Sequence, residues 1–294
     1  MRIVLALDGS AGAETALRFV AAVPWPSATT LRALRVIEPL YDVFGLPTVD
    51  LGPADAIVPA FGAVQAELAD DVAGLIRAGL AVEPHTVVGR PATVIVETAR
   101  AEAADVIVMG SRGRGPMASM VLGSVSAEVV GHAPCPVVVA RRPTVDRVMI
   151  AIDGSDASDR IIDAVIRLGC FAGRRLEVVA VAPSPVPGPA VMLAGADGMP
   201  VAWFEEAVEA AREAMATAAS AAAARLTDAG YEATWSVPLG DPASTIVDHA
   251  ATSHADAVVV GTHGRTGLDR LLLGSVARNV LLHAHTTVVV IPRG

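Results

Sequence analysis

Two stretches of this chain carry the residues best suited to holding an anion. In the first, Gly110-Ser111-Arg112-Gly113 is followed after nine residues by Gly123-Ser124; in the second, Gly261-Thr262-His263-Gly264 is followed after nine residues by Gly274-Ser275. A glycine lets a phosphate chain approach the backbone closely, and Gly-Ser at the mouth of a helix presents free amides and a hydroxyl to an anion. One isolated Gly-x-x-Gly reads as a strand-end turn. The same long spacing in two places points instead to a ligand that carries phosphate.

The other side chains narrow how that ligand is held. All 22 basic residues are arginine and the chain has no lysine. A Walker-type P-loop and Schiff-base chemistry are therefore excluded, and backbone amides, hydroxyls and arginines must do the binding. Neither glycine stretch meets the dinucleotide fingerprint, which follows a first strand and precedes an acidic residue about 20 positions on. The loop Leu7-Asp8-Gly9-Ser10 also lacks the Ser-Gly-Gly-x-Asp-Ser sequence of an ATP pyrophosphatase. Asp8 and Asp153 each stand alone at a strand end, able to ligate Mg²⁺ through water or act as a base, with no second catalytic group at fixed spacing. His249, His254, His283 and His285 are close in sequence but lack cysteine or carboxylate partners at metal spacing, so they read as helix-end residues. Cys135 and Cys170 are too few for a disulfide framework or a zinc site and read as buried free thiols. A net charge of −9 opposes an extended nucleic-acid surface but leaves room for a small anion held locally.

The elements that position these residues follow from an internal repeat. Arg2-Ile-Val-Leu-Ala-Leu-Asp-Gly-Ser10 matches Arg147-Val-Met-Ile-Ala-Ile-Asp-Gly-Ser155, and from Gly89 and Gly240 onward the two copies keep a constant offset of 151. Asp8 and Asp153 differ by 145, so the second copy has six additional residues in a loop or helix end. The copies are read as domains 1–142 and 146–294, a division that suits a chain of 294 residues. In the first copy, periodicity predicts strands over 3–7, 30–37, 82–88, 105–109 and 136–140. Helices are predicted over 11–23, about 57–77, 93–102 and from about 124. Hydrophobic residues make up 53% of the chain and aromatics 3%, a mixture that suits parallel strands covered on both faces. The alternation predicts, for each copy, a doubly wound five-stranded parallel sheet of order 3-2-1-4-5, with the ligand crevice between the ends of strands 1 and 4.

At these residues the chain resembles the universal stress protein family, whose ATP-binding members carry Gly, two residues, Gly, nine residues, Gly and then Ser or Thr. Both copies match the whole pattern, and the similarity extends through the Asp-Gly-Ser after strand 1 and the valine-rich last strand. The resemblance implies an adenine nucleotide α-hydrolase-like α/β fold in tandem, with ATP as the ligand. It implies that Asp8 and Asp153 contact the ribose or adenine side, that Val36 and Val181 offer backbone to the adenine, and that Ala6 and Ala151 lie near the base. It further implies that Met109 and Val260 line the nucleotide. Gly110, Gly113, Gly123, Ser124 and Val125, with Gly261, Gly264, Gly274, Ser275 and Val276, would surround phosphates and ribose. Arg112, Arg114 and Arg265 are added on charge grounds, as offsets to a triphosphate, with solvated surface arginine as the competing reading.

The leading expectation is a regulatory protein that binds one ATP per copy, with Mg²⁺ as a companion ion. The alternatives are a slow ATPase or phosphotransfer enzyme and a nucleotide-independent interaction protein. Asp8 interrupts the only N-terminal apolar run, between Arg2 and Leu7, and no apolar stretch is long enough to span a bilayer, so a cytoplasmic protein without membrane or nucleic-acid partners is expected. The segments 38–56 and 183–200, rich in Pro and Gly, leave the crevice edge and are candidate lids, with plain surface loops equally open. The final strands, Pro136-Val-Val-Val-Ala140 and Thr287-Val-Val-Val-Ile291, are apolar sheet edges that need cover. Pairing of the two copies through them is expected, with a homodimer of whole chains as the alternative.

Overall fold

The computed structural model describes residues 1–38, 54–113, 122–183, 201–262 and 273–293. The first half runs β1 (Arg2–Ala6), α1 (Ala11–Ala22), β2 (Thr30–Ile37), α2 (Ala54–Arg77), β3 (Ala81–Val88), α3 (Pro91–Ala101), β4 (Val106–Gly110), α4 (Ser124–His132) and β5 (Val137–Ala140). The second runs β6 (Arg147–Ile152), α5 (Asp156–Leu168), β7 (Arg175–Ala180), β8 (Ala182–Pro183), α6 (Val201–Asp228), β9 (Glu232–Ser236), β10 (Leu239–Gly240), α7 (Pro242–Thr252), β11 (Ala257–Gly261), α8 (Ser275–His283) and β12 (Thr287–Ile291). Each half is an α/β unit with its five main strands parallel in the order 3-2-1-4-5. The short parallel pair β8 and β10 is additional to the repeat that periodicity predicts, and most of the segments read as lids lies outside the described residues.

Local sequence explains the start of each domain. Gly9 and Gly154 take φ of +72° and +74°, a left-handed turn that turns the chain from strand into helix and that side chains disfavour. Ser10 then caps α1 by accepting a hydrogen bond from the Ala13 amide at 3.2 Å, and Ser155 caps α5 through the Ala157 amide. The apolar spacing of α1 buries Ala13, Ala16, Phe19 and Val20; that of α5 buries Ile161, Ile162, Val165 and Leu168. A shared device fixes the first strand beside the fourth: the Asp105 carboxylate accepts the Arg2 amide at 2.7 Å, and the Asp256 carboxylate accepts the Arg147 amide at 3.0 Å.

The two halves meet edge to edge. β12 lies antiparallel beside β5, with Val138 opposite Val289, so ten strands form one sheet. Residue alternation along the strands divides the core into two layers: Val138, Ala140, Val289 and Ile291 belong to the layer under α1, α2, α5 and α6, whereas Val137, Val139, Val288 and Val290 belong to the layer under α3, α4, α7 and α8. Both layers run through the seam without interruption. Because the seam is antiparallel while each half is parallel, the carboxyl ends of the two strand sets face opposite edges of the sheet.

Polar contacts pin the register of the seam. The Thr287 hydroxyl, fully buried, accepts the amides of Arg141 and Arg142 at 3.2 Å each. The Arg141 guanidinium donates to the carbonyls of Leu281 at 2.5 Å and Thr286 at 3.4 Å, which covers the carboxyl end of α8. Thr287→Val keeps the shape and removes the acceptor, leaving two amides unpaired. We expect a loss of about 1–3 kcal/mol, seen as a lower urea midpoint at an unchanged denaturant slope.

Candidate functional site

Each domain has a crevice where the first and fourth strands end. Ala6 of β1 pairs in register with Met109 of β4, and immediately beyond them lie Asp8 and Gly110. The Asp8 carboxylate accepts the Ser10 amide at 3.0 Å, which holds it at the mouth of α1 in a half-buried position. Gly113 leans directly on this carboxylate: a Cβ there would stand 2.5 Å from Asp8 Oδ2. Gly110 and Gly12 bring two backbones together, since a Cβ on Gly110 would lie 2.4 Å from the Gly12 carbonyl carbon. The Gly123 amide closes the loop by donating to the Ser111 carbonyl at 2.8 Å.

Helix α4 therefore starts at the crevice. Gly123 is its N-cap and supplies no side-chain acceptor, so the amides of the first turn at Ser124 and Val125 receive no side-chain cap there. Such an end favours an anion. Ser124 is exposed and Val125 half-buried, while Ser126 is buried and donates to the Gly110 carbonyl at 3.0 Å, tying the helix to β4. The second domain repeats the plan: Gly274 caps α8 without a side-chain bond, its amide donates to the Thr262 carbonyl at 2.6 Å, and Ser275 is exposed.

The remaining residues named from sequence fall in several environments. Ala6 and Val36 are half-buried at the ends of β1 and β2, and their counterparts Ala151 and Val181 are buried. Met109 and Val260 are 5% and 2% exposed and pack in the core layer beneath the crevice. Gly110 is buried, and Gly261 and Val276 are half-buried. Arg112 is exposed on its loop. Its charge, after burial, helps push the Arg141 guanidinium down to about 10, so the two arginines stand near each other at this strand edge. Arg114, Gly264 and Arg265 lie outside the described residues.

Asp153 is held differently from Asp8. Its Oδ1 accepts the Ser155 amide at 3.0 Å, the Ser155 hydroxyl at 2.6 Å and the Ser158 hydroxyl at 3.1 Å. The matching Ser10 hydroxyl instead donates across the crevice to the Arg112 carbonyl at 3.1 Å. Two further residues of the first crevice escape sequence reasoning. Gly12 has no glycine counterpart in the second copy, where Ala157 stands. Arg35, 4% exposed, donates to the Leu7 carbonyl at 3.4 Å and pairs with Asp71 at 2.5 Å and Glu67 at 3.3 Å, which anchors α2 below the end of β1. A charged residue within the apolar strand Thr30–Ile37 is the signal that points to it.

Among the described residues, no group of three or more His, Cys, Asp or Glu is placed to hold a metal ion. His132 rests against the Glu128 carbonyl at 2.8 Å in the last turn of α4, and His249 in the last turn of α7 meets Glu177 at 2.9 Å. Burial pushes the Cys135 and Cys170 thiols up to about 12, with Asp105 adding to the effect at Cys135, so neither forms a thiolate at neutral pH. No helix among the described residues is long and apolar enough to cross a membrane.

The model of the universal stress protein family matches residues 1–141 and again 144–292. The chain belongs to the universal stress protein family. A universal stress protein of Mycobacterium tuberculosis is 33% identical over 235 residues, spanning 77% of this chain and 74% of the relative. One from Mycolicibacterium smegmatis is 27% identical over 304 aligned positions, covering 98% and 96% of the two chains. The crystal structure of a universal stress protein from Archaeoglobus fulgidus superposes over 100% of this chain and 96% of its own, with a TM-score of 0.64 at 21% identity, which supports the tandem fold.

The two universal stress protein domains differ at the loop contact of the first crevice. A Cβ on Gly12 would come 2.3 Å from the Arg112 carbonyl oxygen, so Gly12→Ala must displace the motif loop. Thermal unfolding should show a loss of about 1–3 kcal/mol for Gly12→Ala. Ala157→Gly relieves no clash, and its cost should stay within about 1 kcal/mol.

Proposed function

We propose that this universal stress protein binds one ATP in each domain and acts in the cytoplasm as a nucleotide-dependent regulator. The observation that carries the reading is the convergence, at the strand-end crevice of the first half, of a glycine loop, an aspartate and a helix start whose N-cap has no side chain, with Asp153, Gly261 and Gly274 at the matching places of the second half. In the first domain the fit is a cradle that side chains would fill: a Cβ on Gly113 or Gly110 would collide with Asp8 or with the Gly12 backbone. On this reading Asp8 and Asp153 face the ribose side, Val36 and Val181 the adenine, and the amides at Gly123 to Val125 and Gly274 to Val276 the phosphates. Met109 and Val260 supply floor from below. Arg112, with Arg114 and Arg265, offsets phosphate charge in a chain of net charge −9. Mg²⁺ would accompany the triphosphate, with Asp8 and Asp153 able to reach it through water.

Domains 1–142 and 146–294 act on this reading as an intramolecular pair joined at the β5 and β12 seam. Fusion raises the effective concentration of each edge for the other, so pairing within the chain outcompetes recruitment of a second chain. Val138 and Val289, each 1% exposed and directly opposite, give the test. The double variant Val138→Lys with Val289→Lys should lose several kcal/mol of stability, and in sedimentation the chain count should stay unchanged. A clean fall from dimer to stable monomer would show that these edges join separate chains.

For the nucleotide itself, Gly123 and Gly274 have φ of −75° and −66°, backbone that any residue adopts, so valine is compatible with the turn. Calorimetry with ATP should show two sites in the parent chain and one in each of Gly123→Val and Gly274→Val. Two sites surviving in either variant would remove the phosphate role of that glycine. No heat in the parent chain would favour a nucleotide-independent interaction protein, and sustained phosphate release would favour an ATPase.

A further inference from the structure

The ten-stranded sheet ends in two edges that the internal repeat makes equivalent, β3 in the first half and β9 in the second. Among the described residues, no strand pairs with the outer side of either. Such an edge offers a row of unbonded amides and carbonyls, and proteins guard it with proline, charge or a bend. β3 is guarded. The Gly89 amide turns inward to the Ile37 carbonyl at 3.0 Å, so alternation along the strand turns the nitrogen of Pro84 outward, between exposed Glu83 and His85. The residue that matches Pro84, 151 positions on, is Trp235 in β9, and its side chain is 47% exposed.

The main chain of β9 is oriented to accept a further strand. The Pro238 carbonyl turns inward to accept the Ala182 amide at 3.0 Å, so by alternation the backbone groups of Thr234 and Ser236 face β7 and those of Ala233 and Trp235 face outward. Side chains alternate across the sheet. Trp235, in register with Val178, lies with Ala233 on the face covered by α5 and α6, and Thr234, in register with Glu177, lies on the other face. The Glu177 carboxylate is occupied within its own chain, by the Ser236 hydroxyl at 2.7 Å and His249 at 2.9 Å.

This pattern selects a second copy of the chain as the occupant. Two β9 strands running antiparallel about a two-fold axis at Thr234 put Ala233 opposite Trp235 of the second copy, twice. Those are the residues whose amides and carbonyls point outward, so each such pair exchanges two main-chain hydrogen bonds. Each indole then lies beside an alanine that leaves room for it, Thr234 meets Thr234, and Glu232, the one charge in the strand, meets Ser236. No like charges stand opposite each other, although each chain carries a net charge of −9. Pairing of β9 with β3 of another chain would meet Pro84 and extend into an open filament, whereas β9 with β9 closes at two chains.

We propose that β9 is a dimerisation edge, pairing antiparallel about Thr234 with β9 of a second copy so that the sheet continues from one chain into the next. The proposal goes beyond the nucleotide reading, does not rest on it, and uses a different edge from the β5 and β12 seam.

Sedimentation velocity over a concentration series should show the chain in a monomer–dimer equilibrium. Trp235→Pro copies the guard of β3, and because the amide that it removes points outward it costs β9 no bond to β7. It should weaken association at least about tenfold with the circular dichroism unchanged. Thr234→Cys supplies a measurement that does not depend on a loss. A non-hydrogen-bonded antiparallel pair brings its Cα atoms to about 4.5 Å, within reach of a disulfide, so mild oxidation should link two chains. Glu232→Cys, opposite Ser236, should link at least about tenfold more slowly, and Cys135 and Cys170 are buried and do not compete. The proposal is overturned if the parent chain stays monomeric at every concentration, which would leave the edge to a strand of a different protein. It is equally overturned if a folded Trp235→Pro dimerises as the parent does, or if Glu232→Cys links as fast as Thr234→Cys.

Discussion

The antiparallel pairing of β5 with β12 is the constraint on which the rest of the molecule depends. Each half is a parallel sheet with one exposed valine-rich edge, and an edge of that kind carries unpaired backbone groups between two apolar faces. Joining the edges satisfies those groups and lets both core layers cross the seam, one of them running from Phe19 of α1 to Phe171 beyond α5. The join also fixes the geometry of function. Parallel strands collect their carboxyl ends on one edge, and an antiparallel seam turns the second set to the opposite edge. The two crevices therefore open in opposite directions, and a single ligand cannot bridge them.

A chain of polar contacts between the two crevices runs through the same seam. Arg141 leaves the end of β5 close to Arg112 of the first motif loop and reaches the final carbonyls of α8. The opposite end of α8 is the Gly274-Ser275 helix start of the second crevice. One half-buried cation thus stands near the loop of the first domain and bonds the helix that begins beyond Gly274. The contact is asymmetric, because the position matching Arg141 in the second copy is Pro292, which has no charge to send back.

Duplication preserved the parts of the crevice that depend on backbone and let the rest diverge. The Asp-Gly-Ser turn, the Gly-x-x-Gly loop and the Gly-Ser helix start recur because each needs a backbone conformation or a missing side chain. Around them, Gly12 became Ala157, Ala13 became Ser158 and Thr15 became Arg160, or the reverse. These changes alter how the aspartate is held. Two domains of one fold consequently have crevices with different surroundings.

Much of this was determined by the sequence alone. Strand and helix order, the tandem repeat and the placement of Asp8, Gly110, Gly113 and Gly123 at one crevice follow from local periodicity and from the rule that ligands of doubly wound sheets sit where the winding reverses. Boundaries drifted by a few residues, as at the start of α2, because helix ends are set by caps and packing that a periodic pattern does not contain. Only the tertiary structure decided that Met109 and Val260 lie beneath the crevice, that Arg35 anchors α2 under β1, and that Gly12 touches the motif loop. Each of these depends on a contact between residues far apart in the chain. The closure of the first crevice has the same origin: glycine at one helix position looks neutral in sequence and becomes decisive when a carbonyl from 100 residues away must occupy the space of a methyl group.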